Sequence, residues 1–295
     1  MSEIIVRTAA DRRLAESWSL VLEALAIPHR LSSMGPDWAV AVDDAHLERA
    51  TAALAAHDRE AAETTAEPLA PDHGRGATWV AVAVPAALVA FFLVTGTRGG
   101  ALGHGWFRSG SAIAARIVAG EWQRAVTALT LHADLMHVAG NAVALVIFMS
   151  ALCRWLGAGL ALLLVLAAGA AGNLATAYAY GGGHDSVGAS TAAFGALGLL
   201  GGLQFVRRYR VTSRIDRRRR ALTAVAACLG MFAMVGVGER SDVLAHLSGL
   251  LAGLCLGVAT GLGVRQSIGT LVQAALGALS VGVVAAAWWS ALATR

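Results

Sequence analysis

From about residue 78 onward the chain is a succession of apolar segments, near 78–95, 134–152, 156–178, 190–206, 221–237, 243–264 and 270–292. Most are long enough to cross a hydrocarbon core of roughly 30 Å. Inside a bilayer no water is present to satisfy backbone N–H and C=O groups, so segments of this length and composition must be α-helices. Across 295 positions, 57% of residues are hydrophobic and 14% charged. The composition lies outside the range of an ordinary soluble domain and reads as an all-α polytopic membrane bundle.

The first 66 residues break this pattern. Residues 1–75 are polar and carry 13 acids against 7 arginines. Residues 11–27 place apolar side chains at helical spacing, Pro28 stops them, and Trp38 to Val42 reads as a short strand. Asp43 or Asp44 can cap a second amphipathic helix that runs to about Glu63. The expectation is a small N-terminal cytosolic α/β module at 1–66, followed by a Pro- and Gly-containing linker at 67–77. The module holds no catalytic constellation. Docking of a cytosolic partner and passive solubilisation are both open for it.

From Gly76 onward there are 16 arginines and 6 acids. This basic excess suits membrane topology and not a nucleic-acid surface. The loop Arg207 to Arg220 holds eight arginines in fourteen residues, and the positive-inside rule puts it in the cytoplasm. Counting back through the spans makes the N-terminus cytoplasmic. The loops just before residues 190 and 243 then face outward.

Two polar residues open apolar segments on that outer side. Ser190 starts the fourth segment just after Gly188, and His246 opens the sixth. A serine at a helix N-terminus sits where the dipole favours developing negative charge, and a glycine before it lets a substrate backbone come close. Taken singly, such a serine usually bonds back to its own helix, and a lone histidine can be an interhelical donor. As a pair they are a candidate nucleophile and general base. His137 and Asn141 are four apart, share a helix face, and can both donate to one oxygen, as an oxyanion hole requires. His132 points elsewhere on an ideal helix and is expected to tie down the preceding loop. His132 with His137 is a poor zinc spacing, and Cys153, Cys228 and Cys255 lie in or beside apolar stretches without CxxC spacing. No metal and no other cofactor is expected. Glycines at 195, 198, 201 and 202, and at 249, 253, 257 and 261, permit close contact between the fourth and sixth segments.

Read in order, Glu121-Trp122-Gln123-Arg124, His132 with His137 and Asn141, Gly188-Ala-Ser190, and Ala245-His246-Leu-Ser-Gly249-Leu-Leu-Ala-Gly253 resemble the motifs of the rhomboid family of intramembrane serine proteases. The resemblance covers about residues 76–264. It implies a rhomboid-like six-helix catalytic core at 78–264 and one additional C-terminal transmembrane helix within 265–295, where Trp288 and Trp289 suit an interfacial anchor. Carried over by position, Ser190 is the nucleophile, His246 the base, and His137 and Asn141 the oxyanion side chains. Phe194 packs on the catalytic histidine, and Gly188, His132 and Arg124 support the site. The implied activity is cleavage of transmembrane protein substrates within the lipid bilayer near its outer face, by a multi-pass protein of a bacterial inner membrane.

Two positions depart from the family pattern. Thr191 stands where glycine is usual and adds a β-branched side chain beside the oxyanion region, with narrower substrate choice or a lower rate as the consequences open to it. Gln123 stands where a second tryptophan is usual. A proteolytically inactive rhomboid-like protein that binds membrane clients is the alternative, although such proteins typically lack the serine or the histidine and this chain has both. A transporter would show inverted repeats, and none is visible.

Overall fold

The computed structural model describes residues 3–65, 73, 78–211, 242–264 and 267–293, with single positions at 223, 226, 230 and 231. The chain divides into two compact units, Met1–Pro68 and Leu69–Arg295.

The first unit is a three-stranded antiparallel sheet, in the order β1-β3-β2, with two helices. Its elements are β1 (Glu3–Ala9), α1 (Arg12–Ala24), β2 (Arg30–Met34), β3 (Asp37–Asp43) and α2 (Leu47–Thr65). Asp11 caps α1 by accepting from the Arg13 N–H. Helical spacing then brings Ala15, Trp18 and Leu22 onto Val40 and Val42 of β3 and onto Ala50 and Leu54 of α2. The sequence pattern gave one strand, and the structure has three. Arg-Leu-Ser-Ser-Met of β2 has no strand-like alternation, but it is held by pairing with β3, Leu31 against Val40, and strand formation follows such neighbours more than intrinsic preference. The second helix starts at Leu47, because a 3₁₀ turn at Asp44–His46 intervenes after the expected cap.

The second unit is helical. It contains α3 (Trp79–Thr95), α4 (Gly103–Gly110), a short strand β4 (Ala112–Ile113), α5 (Ala114–Val118) and α6 (Arg124–Thr127) with a 3₁₀ turn at Ala128–Thr130. Then come α7 (Leu135–Leu156), α8 (Ala158–Tyr180), strand β5 (Asp185–Ser186), α9 (Ser190–Val211), α10 (Val243–Gly263) and α11 (Thr270–Ala293). Among the described residues α7, α8, α10 and α11 are long and apolar enough to cross a membrane, and α3 is a shorter apolar helix of 17 residues. Helix α9 continues past its apolar run into the arginines. The fifth apolar segment, 221–237, lies outside the described residues apart from four single positions, as does most of the arginine-rich loop.

Helix α10 lies along α9, and both pack on α8. The core is closed by Met149, Leu152 and Cys153 of α7, Ala161 and Val165 of α8, and Ala196 and Leu199 of α9. The α9–α10 contact is backbone against backbone. A methyl group at Gly249 would strike the Thr191 carbonyl, one at Gly253 the Gly195 carbonyl, one at Gly257 the Leu199 carbonyl, and one at Gly198 the Leu250 carbonyl. Only glycine fits at these positions, and the two helix N-termini are thereby brought side by side.

The C-terminal helix α11 packs on α8 and reaches α4 and α6. Near its start the Gln273 amide bridges the α7–α8 turn, accepting from the Leu160 N–H at 2.9 Å and donating to the Leu156 carbonyl at 2.6 Å. Near its end the two tryptophans part. Trp289 is 80% exposed, as an interfacial anchor would be. Trp288 is instead turned onto Phe91 and Trp106, with ring centroids 5.5 and 5.2 Å away, so the expected anchoring pair reduces to one residue.

Candidate active site

Asp242 caps α10, its Oδ1 accepting from the Ala245 N–H at 3.1 Å. The first turn set by this cap carries His246, which is buried, with Nε2 2.9 Å from Ser190 Oγ at the start of α9. Phe194, one turn beyond the serine, lies against the imidazole with ring centroids 4.6 Å apart. The histidine is thus walled by an apolar ring on one face while an edge nitrogen meets the serine.

The approach to Ser190 is fixed by glycine. Gly188 has φ +123°, in the region that side-chain-bearing residues avoid. A Cβ built there would lie 2.5 Å from the imidazole of His137 and 3.4 Å from Asn141 Nδ2. Both α7 side chains therefore face the peptide two residues before Ser190. Asp134 caps α7 and accepts from the His137 N–H at 2.9 Å. Asn141 is 7% exposed and its Nδ2 has no hydrogen-bond partner among the described residues. Burying a donor unpaired costs about 1–3 kcal/mol, and this donor is available to an incoming oxygen.

Two further contacts hold the same loop. The Gly188 N–H donates to the Ala128 carbonyl at 2.9 Å, and the Ala189 N–H donates to His132 Nε2 at 3.3 Å. His132 lies in the segment before α7, not on a helix, and is fully buried. It therefore grips the loop entering Ser190 across the fold, and its ring also interacts with the Thr130 backbone of the preceding loop. Burial, together with the nearby His137, lowers its pKa to about 4. The ring is neutral near pH 7, and because Nε2 accepts, Nδ1 carries the proton.

Arg124 is 2% exposed. Its guanidinium pairs with Glu121 at 2.5 Å and donates to the carbonyls of Arg108 and Ser111, each at 3.1 Å. Asn173 of α8 donates to the Ala125 carbonyl at 2.9 Å. The segment that carries Ala128 is thus tied on both sides. Asn173 and Gln273 were not singled out by sequence reasoning. A lone amide within an apolar helix was the available signal.

The side chain that departs from the family pattern at Thr191 meets two other helices. Thr191 is 2% exposed, and its Cγ2 rests against Gly172 of α8 and Gly249 of α10. The extra bulk fills a three-helix junction.

Asp242 is committed away from the imidazole. Besides its capping bond, its Oδ2 pairs with His184 Nε2 at 2.8 Å, and Tyr180 stacks on that histidine. Asparagine caps helices as well as aspartate does. Asp242→Asn is therefore expected to keep activity within a few-fold of wild type in a substrate-cleavage assay. A loss approaching that of His246→Ala would make the carboxylate a partner of the imidazole. No group of three metal-ligating side chains occurs among the described residues.

A rhomboid-domain model matches residues 119–263, the stretch that holds Arg124, His132, His137, Asn141, Gly188, Ser190 and His246. The chain is 31% identical over 173 residues to the rhomboid protease GluP of Bacillus subtilis (strain 168), a match that covers 56% of this chain and 32% of GluP. It is 30% identical over 137 residues to YdcA, a candidate rhomboid protease of the same organism, covering 46% of this chain and 66% of YdcA. The chain belongs to the rhomboid family. With several apolar helices long enough to span, this rhomboid is a multi-pass membrane protein. Its N-terminal unit and α11 lie outside the residues that the family model matches.

Proposed function

We propose that this rhomboid is an intramembrane serine endopeptidase that cleaves transmembrane segments of membrane proteins near the outer face of a bacterial inner membrane. The observation that carries this reading is the 2.9 Å approach of Ser190 Oγ to His246 Nε2. In the proposed reaction Oγ attacks the scissile carbonyl as its proton moves to Nε2. The carbonyl π pair shifts onto oxygen, where the His137 ring, the Asn141 amide and the Ser190 backbone N–H can donate to it. The C–N bond then breaks as His246 returns the proton to the leaving amine. Water, deprotonated by the same imidazole, then attacks the acyl carbon, and the C–Oγ bond breaks as His246 returns that proton to Ser190 Oγ.

The pairing of serine with histidine favours cleavage over inactive client binding. Purified protein incubated with a single-span substrate and a serine-reactive fluorophosphonate tests this. Cleavage and labelling that both depend on Ser190 are expected, and a wild-type protein that does neither overturns the reading.

Removing one oxyanion donor costs on the order of a hundredfold in soluble serine proteases. Asn141→Ala is therefore expected to slow kcat by about that factor with KM little changed; unaltered turnover would give the residue a structural role only. The proposed topology has its own test, in a background without the three native cysteines. A cysteine at Gly182 should react with an impermeant maleimide on intact cells. One at Ser33, in the N-terminal unit that would face cytosolic partners, should react only after lysis, and the reverse pattern inverts the topology.

A further inference from the structure

We propose that Trp288 of α11 is a positioning residue for Ser190 and acts through Thr130; the role rests on Ser190 being the nucleophile. The Trp288 indole N–H donates to Thr130 Oγ1 at 3.0 Å, and that hydroxyl donates in turn to the Thr127 carbonyl at 2.7 Å. With both bonds made, the hydroxyl cannot turn, and the end of the 3₁₀ turn at Ala128–Thr130 is fixed. The residues two positions to either side of Thr130 hold the nucleophile loop. Ala128 accepts the Gly188 N–H and His132 accepts the Ala189 N–H. These are the two peptide groups immediately before Ser190, so a rotation of the turn carries the serine with it.

The donor itself is rigidly placed. Its ring is set between Phe91 and Trp106, and a methyl at Gly110 would collide with it. Gln273 fastens the other end of α11 to the α7–α8 turn. A helix outside the residues matched by the family model thereby reaches the catalytic loop through one side-chain hydrogen bond. A displacement of about an ångström at a nucleophile can cost up to a hundredfold in rate. The loss of this single distant bond is expected to cost less.

The test uses the full chain in proteoliposomes. Trp288→Phe keeps an aromatic ring and removes the donor; Thr130→Val keeps the shape and removes the acceptor. Each is expected to lower kcat on the order of tenfold, with a smaller change in KM, because the lost bond acts on the nucleophile loop. The double variant should be no worse than either single one. Thr130→Ser should recover most of the loss, and Trp289→Phe should behave as wild type. Hydrogen–deuterium exchange at Gly188 and Ala189 should accelerate in Trp288→Phe and Thr130→Val, and this readout does not depend on proteolysis. Wild-type kcat in both single variants, multiplicative losses in the double variant, or an equal loss in Thr130→Ser overturns the proposal. If Trp288→Phe fails to fold, the Thr130→Val and Thr130→Ser pair decides from the other end of the bond. Accelerated exchange in a protein that does not cleave would sink the protease reading and leave the coupling standing. Cleavage with unchanged kcat and exchange would sink the coupling alone.

Discussion

Ser190→Ala and His246→Ala are each expected to abolish cleavage, with losses on the order of 10⁴- to 10⁶-fold in turnover. Without Oγ there is no atom to attack the carbonyl. Without the imidazole there is no acceptor for its proton at neutral pH, because the hydroxyl touches no other base among its described contacts. The two losses should not multiply in the double variant, since each removes the same step. His246→Ala also leaves Phe194 without the ring it packs on, so thermal unfolding should be followed alongside cleavage of a single-span substrate. Near-wild-type proteolysis by either folded variant would remove the pair from the mechanism.

Gly253→Leu is expected to be the most damaging change away from the chemistry. A first side-chain atom at Gly253 would overlap the Gly195 carbonyl of α9, and backbone cannot swing aside as a flexible side chain can. Overpacking a tight core costs about 1–3 kcal/mol or more, and relief here requires α9 and α10 to separate. The Ser190–His246 hydrogen bond spans those same two helices, so stability and activity should fall together. Gly282→Ala in α11 has open space around the new methyl and should be tolerated in both respects. Equal unfolding temperatures for Gly253→Leu and wild type would mean that the helices do not meet as described.

What could be read from the chain alone follows from range. The apolar runs of α7 and α10 and the glycine stripe of α10, which repeats every four residues, are local patterns, and they announced these helices and the face on which α9 and α10 meet. Ser190, His246, His137 and Asn141 were legible for the same reason, each standing at the start of an apolar helix. Strands β1 and β2 were not, because β3 stabilises them from a distance. The short helices between α3 and α7 were also hidden. They are held by Arg124 on the Arg108 and Ser111 carbonyls, bonds that no local periodicity encodes. His132 was legible as a neighbour of its own loop, where it meets the Thr130 backbone, but its second partner, the Ala189 N–H, lies far along the chain. Trp288 looked like the twin of Trp289, and only the packing of α11 tells them apart.

Thr191 acts as a shim. Its methyl is clamped between two glycines on two other helices, and a β-branched side chain has little rotameric freedom with which to yield. A glycine in its place would leave a hole walled by backbone, and such holes close only partly. α10 already lies backbone to backbone on α9, so the way to close this one is for α8 to slide in. Thr191 thus keeps α8 at its distance from the helix that carries Ser190.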